Sequence, residues 1–248
     1  MDSLRSALFV VFNTFLAILF SSLSVLSAPF LSPHYRQRLA SGWVLATRWL
    51  LRTVCGIRIE VEGAHHLRST APMVVAANHQ SQWETFFLFH LVHPQTTVLK
   101  RELLRIPFFG WALRVQKPIA IDRGRASQAI RQLMRAGSEA LKQGRHVVIY
   151  PEGHRQLAGQ LGEFNAGAAS LAIRNNAALL PVAHNSGDCW PAGAWRKRRG
   201  VIRFVVGAPI SSAGKSVREL NEELMDWMHE HYPRIQSPFS DHTSRFET

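Results

Sequence analysis

Cysteine is scarce in this sequence, and histidine does not occur in a metal-binding pattern. Its 248 residues contain two cysteines, Cys55 and Cys189. They form no C-x-x-C pair, which argues against a disulfide framework and fits a reducing compartment. The twelve histidines include no H-E-x-x-H motif, and we predict no metal site. The sequence also lacks the G-x-S-x-G elbow that presents a nucleophilic serine.

Acidic residues are few, and they are absent from a long N-terminal stretch. The chain has 17 acidic against 29 basic residues, a net charge of +12 and a pI near 10.9. Such a charge suits nucleic acid or an anionic membrane as a large partner. From Ser6 to Pro33 there is no charged residue. We therefore predict membrane lipids, and no nucleic acid, as the partner.

The apolar core of that stretch is Leu8–Leu26. It is long enough to cross a bilayer, since about 20 apolar residues suffice, and it would also fit half of a hairpin in one leaflet. A signal peptide is the competing interpretation, because Arg5 precedes the apolar run. However, Leu26 is large where cleavage requires a small side chain, and Pro29 would follow the cut. We expect the segment to be retained.

The next segment has the pattern of an amphipathic helix. Its apolar face carries Leu39, Trp43, Ala46, Leu50 and Val54, and its polar face carries Arg38, Ser41, Arg48 and Arg52. Such a helix suits an anionic membrane surface. The alternative is a helix packed on the protein's own core. Residues 1–55 are thus predicted to form a two-helix membrane anchor.

Beyond Cys55, strand-like and helix-like segments alternate. The strand candidates are Ile57–Glu62, Met73–Ala77, Thr96–Leu99, Ile119–Ile121, His146–Tyr150, Leu179–Ala183 and Val201–Val206. The helix candidates are Gln82–Leu91, Ala126–Lys142, Gly167–Arg174 and Val217–Tyr232. This order predicts an α/β domain over residues 56–232, with a mixed, largely parallel sheet flanked by helices. Period-two alternation marks Ile57–Glu62 as an edge strand. Residues 233–248 are predicted to be a polar, poorly ordered tail.

A histidine and a carboxylate follow the second strand candidate. His79 and Glu84 are five positions apart, about 140° on a continuous helix, so they meet only if His79 lies in the loop and Glu84 in the first helical turn. Ligand sites gather at such strand ends. The alternative is a capping box, Ser81-Gln82-Trp83-Glu84, in which Glu84 has no chemical role. This segment by itself does not decide between the two.

The strand candidate His146–Tyr150 ends in a second group of this kind, Pro151-Glu152-Gly153-His154-Arg155. With it, the chain resembles the glycerolipid acyltransferases, which carry four motif blocks in a fixed order. The matching residues are Asn78, His79 and Glu84; Lys100, Glu102-Leu103, Pro107-Phe108-Phe109-Gly110 and Ile121-Asp122-Arg123; Tyr150-Pro151-Glu152-Gly153 and Arg155; and Leu180-Pro181-Val182. The chain departs from the family's pattern at Glu84, His154, Gln156 and Asn165, where Asp, Thr, Ser and a basic residue are commoner.

The resemblance implies an O-acyltransferase that acylates 1-acyl-glycerol-3-phosphate to phosphatidic acid directly from an acyl thioester, either acyl-CoA or acyl carrier protein, with no bound cofactor. Histidine suits the removal of the acceptor's hydroxyl proton, so His79 is predicted to be the general base and Glu84 to orient it. The residues predicted to bind substrate are Lys100, Arg123, Glu152, Gly153 and Arg155. The resemblance favours attachment to the inner membrane, with the catalytic domain at the cytoplasmic face. The alternatives are another lysophospholipid or aminoacyl-lipid acceptor, and a non-catalytic lipid-binding protein.

Overall fold

The computed structural model describes residues 2–69, 71–122 and 124–236. The helices are α1 (Asp2–Ser27), α2 (Pro33–Thr53), α3 (Trp83–Leu91), α4 (Phe109–Val115), α5 (Ala126–Lys142), α6 (Gly167–Arg174), α7 (Ser186–Cys189) and α8 (Val217–Ile235). The strands are β1 (Ile57–Glu62), β2 (Val74–Ala77), β3 (Gln95–Lys100), β4 (Ile119–Ile121), β5 (His146–Ile149), β6 (Leu179–His184) and β7 (Gly200–Val206). Two 3-10 helices span Ala64–Arg68 and Arg101–Arg105.

The strands form one sheet in the order β1-β7-β6-β2-β5-β3-β4. Only the β6–β7 pair is antiparallel among the strand pairs of the described residues. The predicted mixed, largely parallel sheet is confirmed, and Ile57–Glu62 lies at its edge as its alternation indicated. Because β2 runs parallel to both β5 and β6, the carboxyl ends of these three strands meet at one edge of the sheet.

Helices cover both faces of the sheet. Successive side chains of a strand point to opposite faces, so β2 divides its residues between two cores. Val74 and Ala76 pack with α5, α6 and α8, whereas Val75 and Ala77 pack with α2 and α3. All four residues of β2 are fully buried. This explains why its sequence is a continuous apolar run without alternation.

Local signals set the start of the last helix. Ser216 caps α8, because its hydroxyl oxygen accepts a hydrogen bond from the Glu219 N–H at 3.2 Å. The Glu219 carboxylate accepts one from the Ser216 N–H at 2.7 Å. This reciprocal pair is a capping box and satisfies two N–H groups that the helix leaves free. The buried face of α8 then seats Leu220, Leu224 and Met228 on the sheet.

The N-terminal region forms the two expected helices, but only α1 has the length and apolarity to cross a membrane among the described helices. Its most apolar window has a mean hydropathy of 2.1 and is 17% buried. The first turns of α1 contact the α/β domain. The Lys197 N–H donates to the Ser6 hydroxyl at 2.8 Å, and the Phe9 ring meets the Trp190 ring edge-on at 5.3 Å.

Helix α2 contacts both the protein core and the outside. Leu50 is buried in the core on the α2–α3 side of the sheet, with Trp43 and Val54 packed against it. These residues of the predicted apolar face therefore pack on the protein's own core, which was the alternative to a membrane surface. Trp49 remains 63% exposed, and Arg52 lies one turn further along at the surface. The exposed surface of α2 is therefore both aromatic and basic.

The predicted domain boundaries fall close to element ends. Helix α2 ends at Thr53 and β1 begins at Ile57, on either side of the predicted division at residues 55 and 56. Helix α8 continues to Ile235, three residues past the predicted end of the domain. The rest of the predicted tail, residues 237–248, lies outside the described residues.

Candidate active site

The site lies where β2, β5 and β6 end. His79 is two residues beyond β2, Glu152 is three residues beyond β5, and His184 is the last residue of β6. Parallel pairing of β2 with both neighbours brings these three side chains to the same edge. The sequence motifs that follow separate strands are therefore adjacent in the fold.

His79 and Glu84 are in direct contact. His79 Nδ1 lies 2.7 Å from Glu84 Oε1, and the Glu84 side chain is fully buried. An ionised carboxylate only accepts hydrogen bonds, so Nδ1 carries the proton and Nε2 holds the lone pair. The His79 ring stacks on the Tyr150 ring, with 4.6 Å between centroids. This stacking and the Nδ1 bond fix the plane of the imidazole.

Glu84 also binds the loop that precedes α3. The same oxygen, Oε1, accepts hydrogen bonds from the N–H groups of Gln80 at 3.2 Å and Ser81 at 3.0 Å. The Ser81 hydroxyl accepts from the Trp83 N–H, not from that of Glu84, so the capping box is incomplete. Glu84 therefore makes both kinds of contact. It binds the Ser81 N–H, as the capping-box alternative required, and it binds the His79 ring, as the dyad required.

The environment favours the ionised form of Glu84. Burial alone would raise the pKa of this carboxyl. The neighbouring His184 and His79 rings and the Ser81 N–H outweigh that effect and lower the pKa below its ordinary value. A negative charge held beside His79 would stabilise an imidazolium, as a base needs when it takes up a proton.

Glu152 holds the loops around His79. One of its oxygens accepts a hydrogen bond from the His79 N–H at 2.5 Å, and the other accepts one from the Gly162 N–H at 2.9 Å. The His79 carbonyl accepts from the Gln156 N–H at 2.8 Å. Burial raises the pKa of Glu152 to about 7, although the two N–H donors oppose that rise. In this structure Glu152 contacts the protein's own backbone, and its substrate-binding role stays a prediction.

Asn78 and His184 clamp the end of β2 to the end of β6. The Asn78 amide donates to the His184 carbonyl and accepts from the His184 N–H, both at 2.9 Å. The His184 ring nitrogen Nε2 donates to the Asn78 carbonyl at 2.7 Å, and Nδ1 accepts from the Ser186 N–H at 3.3 Å. Burial lowers the pKa of His184, which agrees with a neutral ring making these two bonds.

The sequence did not single out His184 or Gln80. Gln80 donates from its amide to the Gln160 carbonyl at 2.9 Å and to the Tyr232 hydroxyl, which joins α8 to the site. His184 ends an apolar strand without belonging to any motif. The polar residue at the end of that strand was the one available signal, and its partner is 106 positions away.

Arg155 and Lys100 are the predicted cationic residues that the structure describes. Arg155 is exposed on the loop after β5, and Gly153 turns that loop with a φ of +76°, a conformation that glycine adopts easily. Lys100 is at the end of β3. Its Nζ lies 3.8 Å from Glu102 Oε1, and both side chains are half exposed. Arg123 lies outside the described residues. In the ranges 2–69, 71–122 and 124–236, no group of three metal-binding side chains occurs.

The sheet brings a buried His–carboxylate pair to the ends of its central strands, and a histidine held in this way has the chemistry to accept a proton. The model of the Acyltransferase family matches residues 58–185, the part of the chain that holds this pair. The chain is 40% identical over 250 residues to the 1-acyl-sn-glycerol-3-phosphate acyltransferase of Pseudomonas aeruginosa, covering 99% of this chain and 96% of that protein. The chain therefore belongs to the Acyltransferase family.

Two further comparisons agree. The chain is 33% identical over 137 residues to human 1-acyl-sn-glycerol-3-phosphate acyltransferase alpha, covering 55% of this chain and 48% of that protein. The crystal structure of PlsC, the 1-acyl-sn-glycerophosphate acyltransferase of Thermotoga maritima, superposes with a TM-score of 0.79 at 20% identity. That match covers 94% of this chain and 97% of the other. At this identity the structural match supports the fold.

Proposed function

We propose that this protein transfers a fatty acyl group from an acyl thioester to the free hydroxyl of 1-acyl-glycerol-3-phosphate, which gives phosphatidic acid. The observation that carries the proposal is the 2.7 Å contact between His79 Nδ1 and Glu84. It leaves Nε2 unprotonated as a base. The 40% identity to a 1-acyl-sn-glycerol-3-phosphate acyltransferase over nearly the whole chain supports the choice of acceptor.

During the reaction His79 takes up one proton and then gives one up. His79 Nε2 takes the proton of the acceptor hydroxyl as its oxygen attacks the thioester carbonyl carbon. The C–S bond then breaks, and the departing thiolate takes the proton from His79, so that the enzyme returns unchanged. Glu84 stabilises the transient imidazolium by its charge. A positioned base of this kind contributes about 10²–10⁴ in rate. The donor is acyl-CoA or acyl carrier protein, and the chemistry uses no bound cofactor.

Cationic side chains around the site would hold the acceptor's phosphate. Arg155 makes no hydrogen bond or ion pair with another described residue, so its guanidinium is available to a ligand. Arginine matches phosphate through two parallel hydrogen bonds. Lys100 and Arg123 match cationic positions of the family's motifs, and we assign them the same role. Gly153 shapes the loop that presents Arg155, and Glu152 supports the same loop from inside.

The acceptor is a lipid, so the enzyme must work at a membrane. Helix α1 provides an apolar surface that includes Leu8, Val11, Phe12, Phe15 and Leu19, all exposed. Such a surface is stable when lipid covers it. We assign the protein to the inner membrane, with the α/β domain on the cytoplasmic side, because basic residues follow the apolar segment.

The test is an assay with a panel of acceptors. Detergent-solubilised full-length protein is incubated with labelled acyl-CoA or acyl carrier protein and with lysophospholipids that differ in headgroup. Phosphatidic acid formed from 1-acyl-glycerol-3-phosphate, at a rate well above that of the other acceptors, is the expected result. A faster reaction with another lysolipid or an aminoacyl-lipid would reassign the acceptor. The absence of turnover with every acceptor would favour a non-catalytic lipid-binding protein.

A further inference from the structure

A basic cleft lies where the end of α2 meets the first residues of β1 and β7. Its volume is about 460 Å³, and it is lined by Arg52, Gly56, Arg58, Gly200 and Val201. Pockets of this size accommodate small ligands or headgroups. Two of the five lining residues are glycines, so no side chain occupies the cleft at those positions. No motif of the acyltransferase site includes these residues.

The arginines of the cleft lack negative partners. The guanidinium groups of Arg52 and Arg58 make no hydrogen bond or ion pair with another residue in the described ranges. Arg199 packs beside the cleft, with its Cγ 3.4 Å from where a Cβ on Gly56 would lie. Its one carboxylate contact among the described residues is Asp2, at 4.0 Å. Three guanidinium groups gathered with so little negative charge repel one another, and a bound anion would relieve that repulsion.

No neighbouring carboxylate pairs with Arg52 or Arg58 among the described residues. Glu60, the next outward-facing residue of β1, pairs with Arg203 at 3.4 Å. Lys197, in the basic run before β7, contacts the protein interior. Its ammonium group donates to the Trp195 carbonyl at 2.7 Å and lies 4.5 Å from the centre of the Trp190 ring. The cleft thus presents arginine charge specifically, and arginine is the side chain best suited to bind phosphate through paired hydrogen bonds.

The surroundings of the cleft indicate which phosphate it meets. Leu45, Trp49 and Arg52 are spaced four and three residues apart, so they share one face of α2. Leu45 and Trp49 are exposed, and tryptophan is enriched where membrane meets water. Leu4, in the first turn of α1, is exposed as well, close to Asp2 and its Arg199 contact. A basic cleft beside an exposed apolar surface is the arrangement that recognises anionic lipid.

We propose that this cleft binds the phosphate group of an anionic membrane lipid. It lies on the same edge of the sheet as the candidate active site, because β7 runs antiparallel to β6 and so begins where β6 ends. β1 starts beside it, since Ile57 pairs with Gly200. A headgroup held there fixes this edge against the membrane. That is the edge from which a lipid acceptor must approach His79. The proposal requires a membrane but does not require acyl transfer.

The test measures lipid binding by the full-length protein in a nonionic detergent. Dioctanoyl phosphatidylglycerol is titrated against wild type and an Arg52→Gln/Arg58→Gln variant, with dioctanoyl phosphatidylcholine as the zwitterionic lipid. The matched control is Arg131→Gln/Arg135→Gln, which removes the same charge from the exposed face of α5. We expect the cleft variant to bind phosphatidylglycerol at least about tenfold more weakly, since hydrogen bonds to charged groups are lost. Binding of phosphatidylcholine, and the control variant, should be unaffected.

Three results would overturn the proposal. The first is unchanged phosphatidylglycerol affinity in the cleft variant, and the second is an equal loss in the α5 control, which would indicate a general charge effect. The third comes from a parallel titration of wild type and the cleft variant with coenzyme A. If the cleft variant loses coenzyme A binding but keeps lipid binding, the cleft binds the phosphates of the acyl donor. If the double variant does not fold, the single Arg52→Gln and Arg58→Gln variants are tested instead. Wild-type affinity in both would equally reject the site. Each readout is independent of turnover.

Discussion

Replacing Glu84 by glutamine separates its charge from its contacts. Glu84 Oε1 accepts hydrogen bonds from the His79 ring and from the N–H groups of Gln80 and Ser81. A glutamine oxygen can occupy the same place and accept the same three bonds. The other carboxylate oxygen has no partner among the described residues, so an NH₂ group there breaks no bond. We therefore expect Glu84→Gln to fold with nearly the wild-type melting temperature.

The same replacement removes the negative charge beside His79. Hydrogen bonds to charged groups contribute about 1.5–3 kcal/mol, roughly twice as much as neutral ones. The loss in the imidazolium state lies between half of the lower value and all of the higher one, about 0.75–3 kcal/mol. Because each 1.36 kcal/mol is a factor of ten, kcat is expected to fall about 4-fold to 150-fold. Residues that act as a unit give non-additive losses. Combining Glu84→Gln with His79→Ala should therefore be scarcely worse than His79→Ala alone.

The assay is initial-rate acyl transfer to 1-acyl-glycerol-3-phosphate at saturating acyl donor, with the melting temperature of each variant measured in the same detergent. Glu222→Gln is the matched control, because it removes one carboxylate charge from an exposed side chain of α8. Its turnover should equal that of wild type. Wild-type turnover in Glu84→Gln would refute the dyad. The buried carboxylate would then serve only to hold the Gln80 and Ser81 N–H groups.

Three further predictions concern the phosphate, the anchor and the buried acid. Arg155→Ala should raise KM for the lysolipid more than KM for the acyl donor. The control Arg174→Ala on α6 should change neither KM. An equal rise in both KM values for Arg155→Ala would mean that Arg155 is structural. Removal of residues 1–33 should weaken membrane attachment without abolishing it at low salt, because basic residues still attract anionic lipid; salt-resistant fractionation of the truncated protein would contradict this. Glu152 has a pKa raised from 4.5 to about 7, so its contribution to stability is present below pH 4.5 and is lost as pH rises to about 7. The melting temperature of Glu152→Gln should accordingly fall less over that pH range than those of wild type and the exposed control Glu163→Gln; parallel curves for all three would show that the acid does not titrate there.

Local pattern was sufficient for most of the sheet and its helices. The continuous apolar runs of β2 and β5 and the helical periodicity of α5 are properties of a few neighbouring residues, and each element formed where its pattern indicated. Helix α4 was missed. It begins after Phe108, whose φ of 58° is unusual for a non-glycine residue, and its start at Phe109 lies in the motif block Pro107-Phe108-Phe109-Gly110, for which no helix was predicted.

The sequence motifs were sufficient to predict one part of the candidate site, the contact between His79 and Glu84. The contact between His79 and Glu84 follows from a strand that ends before one residue and a helix that begins near the other. The clamp by His184 and the link from Gln80 to Tyr232 could not be inferred in this way. Those bonds join residues 106 and 152 positions apart, and only the strand order and the packing of α8 bring them together.

His79 is the proposed base that activates the acceptor hydroxyl. The most direct test of this role is the rate of phosphatidic acid formation from 1-acyl-glycerol-3-phosphate and acyl thioester by His79→Ala, measured beside wild type at equal folded concentration. The expected loss is about 10²–10⁴ in kcat, with the melting temperature little changed, because Glu152 and Gln156 bind the backbone of residue 79 and not its ring. Turnover within a few fold of wild type would show that another group removes the proton.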